Sequence, residues 1–327
     1  MEINELNKKA HGGTELLMER LHNAFPSELL DNFQIIPSRV RELKKDKIRI
    51  LYCHDLAEDP EARAALENGK WKNYHKIVFV SNWQMQRYID LYKIPWSHCM
   101  VIVNSIDPIE FKERETGPVR LIYHSTPHRG LNILVPVFEK IAEIDNDVIL
   151  DVYSSFELYG WKERDKPFED IFQRCKDHPQ INYHGSKSNE EIRTALQQAD
   201  IFAYPSIWQE TSCLCLIEAM SAGCLAIHPN YGALYETSLQ LTNMYQWEED
   251  INNHASIFHF LLMNGINQVR CNENIQYNLK MQSDLSNMIY NWDLRKKQWD
   301  YLFNFLKDTV TDTSIPKTDV LIFNTGS

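Results

Sequence analysis

Short apolar runs alternate with amphipathic stretches twice along this chain. That alternation restricts the fold more than any other feature. In the first half the runs are Phe33 to Ile36, Ile48 to Cys53, Ile77 to Val80 and Met100 to Val103. Helical stretches lie around them: one after Gly12-Gly13 stopped by Pro26, one from Asp59-Pro60 to Gly69, and one from Asn82 to about Tyr92. Asp59 is placed to cap its helix, with Pro60 at the first helical position. A charged, turn-rich stretch, Phe111 to Pro118, reads as a linker. The rhythm then restarts with strands at Arg120 to Tyr123, Val148 to Tyr153, Ile181 to His184, Ile201 to Tyr204 and Cys224 to Ile227. Helices are expected over Asn132 to Ala142, Phe168 to Lys176, from Ser188 (a capping box with Glu191), and over Cys213 to Ala222. The C-terminal part reads as helical. Strands that alternate with helices require right-handed crossovers and a parallel sheet. The expectation is α/β, with two doubly wound domains, residues 1–114 and 115–290, then a C-terminal helix and tail, 291–327. Ligands of such sheets bind beyond the carboxyl ends of the strands.

The stretch from Ala199 to Gly223, ADIFAYPSIWQETSCLCLIEAMSAG, carries the chemistry. A buried strand ends at Pro205-Ser206, a loop follows, and an apolar helix runs to Gly223. Thr211 and Ser212 are candidate N-caps, and Gly223 suits the C-terminal stop. Glu210 precedes this helix and Glu218 lies inside it. A helix N-terminus offers unpaired N–H groups and partial positive charge, which suits a phosphate or diphosphate. A carboxylate beside it can accept hydrogen bonds from sugar hydroxyls. A second one two turns along can reach a ribose. Glu218 in so apolar a helix needs partners if it is buried. Together these features suit a nucleotide-sugar.

The same residues resemble the Glu-x7-Glu region of retaining GT-B glycosyltransferases of the family-four type, glycosyl transferases group 1. Glu210, Leu214, Glu218, Ala219 and Gly223 match the pattern, while Ser212 and Cys213 replace its usual Phe-Gly. The resemblance implies that Glu210 contacts the donor sugar and Glu218 the nucleotide ribose, with Cys213 and Leu214 at the diphosphate. Tyr123 to Leu134, YHSTPHRGLNIL, resembles the family's Gly-Arg-x-x-Pro-x-Lys-Gly motif, whose two cations neutralise the leaving group. Pro127 and Gly130 match, Arg129 stands for the lysine, and His124 falls in the arginine's place. Arg129 can fork onto phosphate oxygens, and His124 can do so as a donor or when protonated. Gly12 and Gly13 resemble the family's glycine loop, where a missing Cβ lets backbone approach the donor. His54, followed by Asp55, falls where the family keeps a histidine near the sugar. Asn104 and Asp107 resemble Asn-Gly-Val-Asp. Tyr183, in the Tyr-His-Gly-Ser that ends a strand, is placed to hold the nucleobase through backbone contacts.

The resemblance spans about residues 11 to 305. It implies a GT-B fold, two Rossmann-like domains facing a central cleft, with the last helix crossing back onto the first domain. Trp292, Trp299, Tyr301, Phe303 and Phe305 would suit that packing. A first strand ahead of Gly12 is missing, and Asp319 to Phe323, DVLIF, resembles one. The tail is a candidate for that slot, the other reading being a disordered tail or an edge strand elsewhere. Asp145-Asn146-Asp147 looks like a metal-binding Asp-x-Asp, but it lies at the start of a strand, the wrong end of the sheet. A fold that stabilises diphosphate with Arg129 and a helix tip needs no divalent metal, so no metal and no cofactor is expected.

The formal net charge of −11 argues against broad nucleic-acid binding. Cys53, Cys99, Cys175, Cys213, Cys215, Cys224 and Cys271 are odd in number, scattered and without a CxxC pair. They read as reduced thiols of a cytoplasmic protein. No signal peptide or bilayer-spanning run is seen, so membrane contact would be at most peripheral. The function expected is transfer of a sugar from a nucleotide-sugar to a glycan, lipid-linked or protein acceptor, with retention of configuration. A sugar-nucleotide epimerase and a catalytically silent nucleotide-sugar-binding protein share these features.

Overall fold

The computed structural model describes residues 13–39, 42–114 and 116–314. Gly12 and the Asp319 to Phe323 stretch lie outside the described residues. The chain divides into two compact units. Gly13–Asn104 and the chain from Asp293 make one, and Ser105–Trp292 makes the other.

The first unit contains α1 (Gly13–Ala24), α2 (Ser27–Leu30), β1 (Phe33–Pro37), β2 (Ile48–Cys53), α3 (Pro60–Leu66), β3 (Lys76–Phe79), α4 (Asn82–Tyr92) and β4 (Cys99–Val101). The strands pair in parallel in the order β1-β2-β3-β4. Every residue of β2 is buried, as its largely apolar run foretells. The exception in kind is Arg49, whose guanidinium donates to the carbonyls of Asn73 at 2.7 Å, Lys44 at 3.0 Å and Thr313 at 2.9 Å. Asp59 caps α3 through the Glu61 N–H, with Pro60 at its first position. Ser81 caps α4 through the Gln84 N–H. Leu51, Phe79, Trp71, Tyr74, Tyr88 and Tyr92 form the core between sheet and helices.

The second unit contains β5 (Val119–His124), α5 (Leu131–Ala142), β6 (Val148–Tyr153), α6 (Glu169–Asp177), β7 (Ile181–Tyr183), α7 (Asn189–Leu196), β8 (Ile201–Ala203), α8 (Leu214–Ala222), β9 (Leu225–Pro229), α9 (Leu234–Thr237), β10 (Asn243–Tyr245), α10 (Ile251–Cys271) and α11 (Ile275–Ile289). Its parallel sheet has the order β10-β9-β8-β5-β6-β7. From β5 the chain runs outward through β6 and β7, then returns to β8 on β5's other side. The switch point therefore lies between β5 and β8. The capping box at Ser188 and Glu191 is formed. Residues 105–114 pack with this unit: the Ile109 N–H donates to Ser221 Oγ at 2.8 Å, and Arg114 pairs with Asp200 at 2.8 Å. Asp145 ties the start of β6 to α10 through Arg270, at 2.5 and 3.0 Å. Its carboxylate is thus committed to a structural ion pair.

The last helix, α12 (Trp292–Thr309), packs on the first unit. Phe303 meets Phe25 at 5.2 Å and Phe33 at 4.7 Å, and Trp299 meets Tyr52 at 5.1 Å. Only part of the aromatic load is core: Tyr301 and Phe305 stack on each other while exposed. No helix among the described residues is long and apolar enough to cross a membrane.

Candidate active site

At the switch point of the second unit, the loops after β5 and β8 meet. Arg129 follows β5 and Glu210 follows β8, and their side chains pair at 2.9 Å between Nη1 and Oε1. Both are withdrawn from water, with side-chain exposures of 20% and 5%. The Tyr204 hydroxyl, at the end of β8, donates to the same Oε1 at 2.5 Å. Burial pushes the Glu210 carboxyl up, and Arg129 and Tyr204 pull it back only in part. Burial works against the Arg129 charge, but Glu210 and then Tyr204 outweigh it and hold the guanidinium firmly charged.

Two glycines let these loops approach. A Cβ on Gly130, whose φ is +126°, would lie 2.3 Å from the Pro205 carbonyl oxygen. A Cβ on Gly232 would lie 2.7 Å from the Glu210 nitrogen. There the chain after β9 forms a parallel bridge with Glu210, and the Ala233 N–H donates to the Glu210 carbonyl at 2.7 Å.

Helix α8 begins beside this pair. Its N-cap position falls to Cys213, whose side chain makes no cap hydrogen bond. The expectation that Thr211 or Ser212 would cap it is thereby corrected: the chain stays extended at Cys213 (φ −85°, ψ 98°), and the helix starts at Leu214. Gly223 stops α8 in the left-handed conformation, as foreseen. Glu218 is 8% exposed and does find partners. Asn189 Nδ2 donates to its Oε1 at 3.1 Å, and His124 Nδ1 stands 3.9 Å from its Oε2. Burial raises the Glu218 carboxyl against the pull of His124. Burial disfavours the His124 charge, but the Cys215 sulfur, itself inclined to ionise beside Cys213 and His124, and then Glu218 outweigh it, so its pKa is raised. The Cys215 thiol donates to the His124 carbonyl at 2.9 Å.

Buried polar atoms without a hydrogen-bond partner gather here. Among the described residues they include His124 Nε2, Thr126 Oγ1, His128 Nδ1, Arg129 Nε and Ser154 Oγ, all at the carboxyl ends of β5 and β6. Each such atom costs about 1–3 kcal/mol unless something meets it. The His128 ring stacks on Phe156 at 5.2 Å and meets the edge of Trp208 at 4.9 Å.

Of the residues named from sequence, His124, Arg129, Glu210, Cys213, Leu214 and Glu218 come together at the ends of β5, β8 and α8. Tyr183 ends β7, beyond β6, and its hydroxyl donates to the Ser154 carbonyl at 2.8 Å. Its neighbour His184 lies flat on Tyr153 at 4.2 Å and bonds Asp151 at 3.1 Å. His54 and Gly13 belong to the other unit. His54 follows β2, its ring 4.2 Å from Tyr52, and burial lowers its pKa to about 3. Gly13 opens α1. Asn104 is buried, and the Asp107 carbonyl accepts from Arg193 at 2.7 Å. Sequence reasoning missed Tyr204, Asn189 and Gly232. The turn signal Asn230-Tyr231-Gly232 after a strand could have revealed the last.

The family model described as glycosyl transferases group 1 matches residues 108–243. No curated protein matches the sequence. A glycosyltransferase from Rickettsia africae ESF-5 superposes with a TM-score of 0.67 at 16% identity, covering 94% of this chain and 85% of that one. HepE of Anabaena, solved in complex with UDP-glucose, gives 0.61 at 15%, over 80% and 73%. Sucrose-phosphate synthase from Thermosynechococcus elongatus gives 0.58 at 15%, over 81% and 69%. The likeness to these glycosyltransferase structures shows the GT-B type of α/β fold, with two Rossmann-like domains.

Proposed function

We propose that this protein is a metal-independent glycosyltransferase that moves a sugar from a nucleoside-diphosphate sugar to an acceptor with retention of configuration. One observation carries the reading: buried, unmet donors at Arg129 Nε and His124 Nε2 lie beside the start of α8, at the switch point of a parallel sheet. An anion is the ligand that such donors and a helix N-terminus favour. The match to glycosyl transferases group 1 over 108–243 supports a transferase, and HepE, of similar fold, binds UDP-glucose in its solved complex.

In this reading Arg129 and the first N–H groups of α8 neutralise the diphosphate as it leaves. Glu210 holds a sugar hydroxyl through Oε2, since Arg129 and Tyr204 both occupy Oε1. Glu218 takes the ribose. The bond from the anomeric carbon to the phosphate oxygen breaks, the bond to the acceptor oxygen forms on the same face, and the acceptor proton passes to the departing phosphate. The protein's share is positioning and electrostatics. The acceptor is a glycan, lipid-linked or protein hydroxyl. The free, mostly buried thiols suit a reducing, cytoplasmic location.

The test is incubation with a panel of UDP-, GDP- and ADP-sugars with and without EDTA. Release of nucleoside diphosphate is measured, and the product anomer is read by NMR. Turnover that survives EDTA, retains configuration, and falls about a hundredfold or more in Arg129→Ala and Glu210→Ala supports the proposal. Inversion, loss of turnover with EDTA, or near wild-type turnover in either variant refutes the corresponding part.

A further inference from the structure

We propose that Tyr204 and Tyr123 are positioning residues that hold the Arg129–Glu210 pair in register, an inference that rests on the reading of that pair given above. The two tyrosines stand at the ends of adjacent strands, with 0% exposure and ring centroids 5.9 Å apart. Each phenol donates to an atom that Arg129 also donates to. Tyr204 meets Glu210 Oε1 at 2.5 Å, the oxygen that takes Arg129 Nη1 at 2.9 Å. Tyr123 meets the Thr126 carbonyl at 2.8 Å, the acceptor of the Arg129 backbone N–H at 3.2 Å. One tyrosine thus fixes the carboxylate and the other fixes the turn that carries the guanidinium.

Neither ring is free to swing. Phe202 stacks on Tyr204 at 5.1 Å with an interplanar angle of 20°, and both rings are buried. A phenol at the end of a strand is as rigid a donor as a sheet can offer. Glu210 is only 4% exposed, so water cannot readily replace the Tyr204 hydroxyl. With both protein donors on Oε1, the carboxylate plane is set and Oε2 is presented to one side. A carboxylate held by Arg129 alone could rotate about that single contact.

The test uses Tyr204→Phe, Tyr123→Phe and an isosteric variant with 3,5-difluorotyrosine at position 204, a stronger donor that keeps the hydroxyl. Ionisation of Glu210 is followed by isotope-edited infrared of its carboxyl stretch in ligand-free protein, with Glu210→Gln to assign the band. Tyr204→Phe should move the Glu210 midpoint up by about one pH unit, the effect of losing one hydrogen bond to a charged group. The difluorinated variant should move it down, and Tyr123→Phe should leave it in place. With a donor that turns over, kcat should fall about ten- to a hundredfold in Tyr204→Phe, with its acid limb displaced upward. In Tyr123→Phe, kcat should fall with the limb unmoved. An unmoved midpoint in Tyr204→Phe, or equal shifts in both phenylalanine variants, overturns the inference. Absence of turnover in the unaltered protein would instead refute the functional reading, and the infrared midpoint would still decide this one.

Discussion

The Arg129–Glu210 pair makes a quantitative claim that a double-mutant cycle can test. The variants are Arg129→Met, Glu210→Gln and the two combined. At 2.9 Å and an effective dielectric of about 20, the gross attraction is roughly 6 kcal/mol. Removing both charges from water offsets much of that. Arg129→Met strands a carboxylate that is only 5% exposed with Tyr204 as its remaining donor, and should cost about 3–5 kcal/mol. Glu210→Gln strands a guanidinium that is 20% exposed and reached by water, so about 2–3 kcal/mol is expected. The double variant buries no lone charge and should cost no more than the milder single one, which implies a coupling of about 3 kcal/mol or more. The chain forms two compact units, and for such a chain a single denaturation midpoint is a poor measure. Native-state hydrogen exchange at the amides of β5 and β8 reads the second unit directly. A coupling below about 0.5 kcal/mol would mean that the pair is a surface contact in energetic terms, and the picture of a desolvated site would fail.

Other expectations follow from the same structure. Gly130→Ala forces a Cβ to 2.3 Å from a backbone oxygen at φ +126° and should cost more than about 2 kcal/mol, whereas Gly69→Ala, at φ +75° in open space, should cost about 1 kcal/mol; native-state hydrogen exchange at the strand amides of each one's own unit compares them. Phe303→Ala empties a site at 0% exposure and should cost the first unit about 3–5 kcal/mol. Tyr301→Ala, 66% exposed, should change stability by less than about 0.5 kcal/mol. His228 is fully buried and neutral, its Nδ1–H donating to the Pro229 carbonyl and its Nε2 accepting from Thr242, and burial lowers its pKa from 6.5 to about 4. The unfolded chain takes that proton below pH 6.5 and the folded chain refuses it. Stability is therefore full above 6.5 and falls as pH drops towards 4, by up to about 3 kcal/mol, and His228→Gln should flatten that slope in pH-dependent urea unfolding.

The elements most legible in the sequence are those whose signal is local. Strands β2 and β6 read as mostly apolar runs, broken only by Arg49 and Asp151, because both faces are covered, and the Ser188–Glu191 box closes within four residues. Strand β10 was not legible: Asn243 to Tyr245 is three residues long and owes its conformation to pairing with β9. The cap of α8 was misread for a similar reason. Thr211 and Ser212 have the right side chains, but the bridge between Glu210 and Gly232 holds the backbone ahead of the helix. Glu210 and Glu218 stood out because carboxylates are rare in such surroundings. Tyr204 did not, because a tyrosine closing an apolar run looks like ordinary core until its hydroxyl is seen on Glu210. Arg129 and Glu210 are 81 positions apart, and no local pattern encodes their pairing.

Two arginines, Arg49 buried and Arg129 partly so, show what separates a scaffold from a candidate site. Arg49 spends its guanidinium on carbonyls of Asn73, Lys44, Lys47 and Thr313, and so ties the loop before β2, the turn before β3 and the chain after α12 into one piece. Its donors face main-chain acceptors that carry no charge and cannot leave. Arg129 spends Nη1 on one carboxylate and leaves Nε buried and unmet. The close Gly130–Pro205 and Gly232–Glu210 approaches hold the backbone of the loops around it together. A frame that keeps a buried guanidinium nitrogen short of acceptors is less stable than one that satisfies it. In the proposed function the same frame would meet an incoming anion with little reorganisation. Arg49 is therefore architecture, and the unmet Nε of Arg129 is what the proposed function assigns to phosphate oxygens.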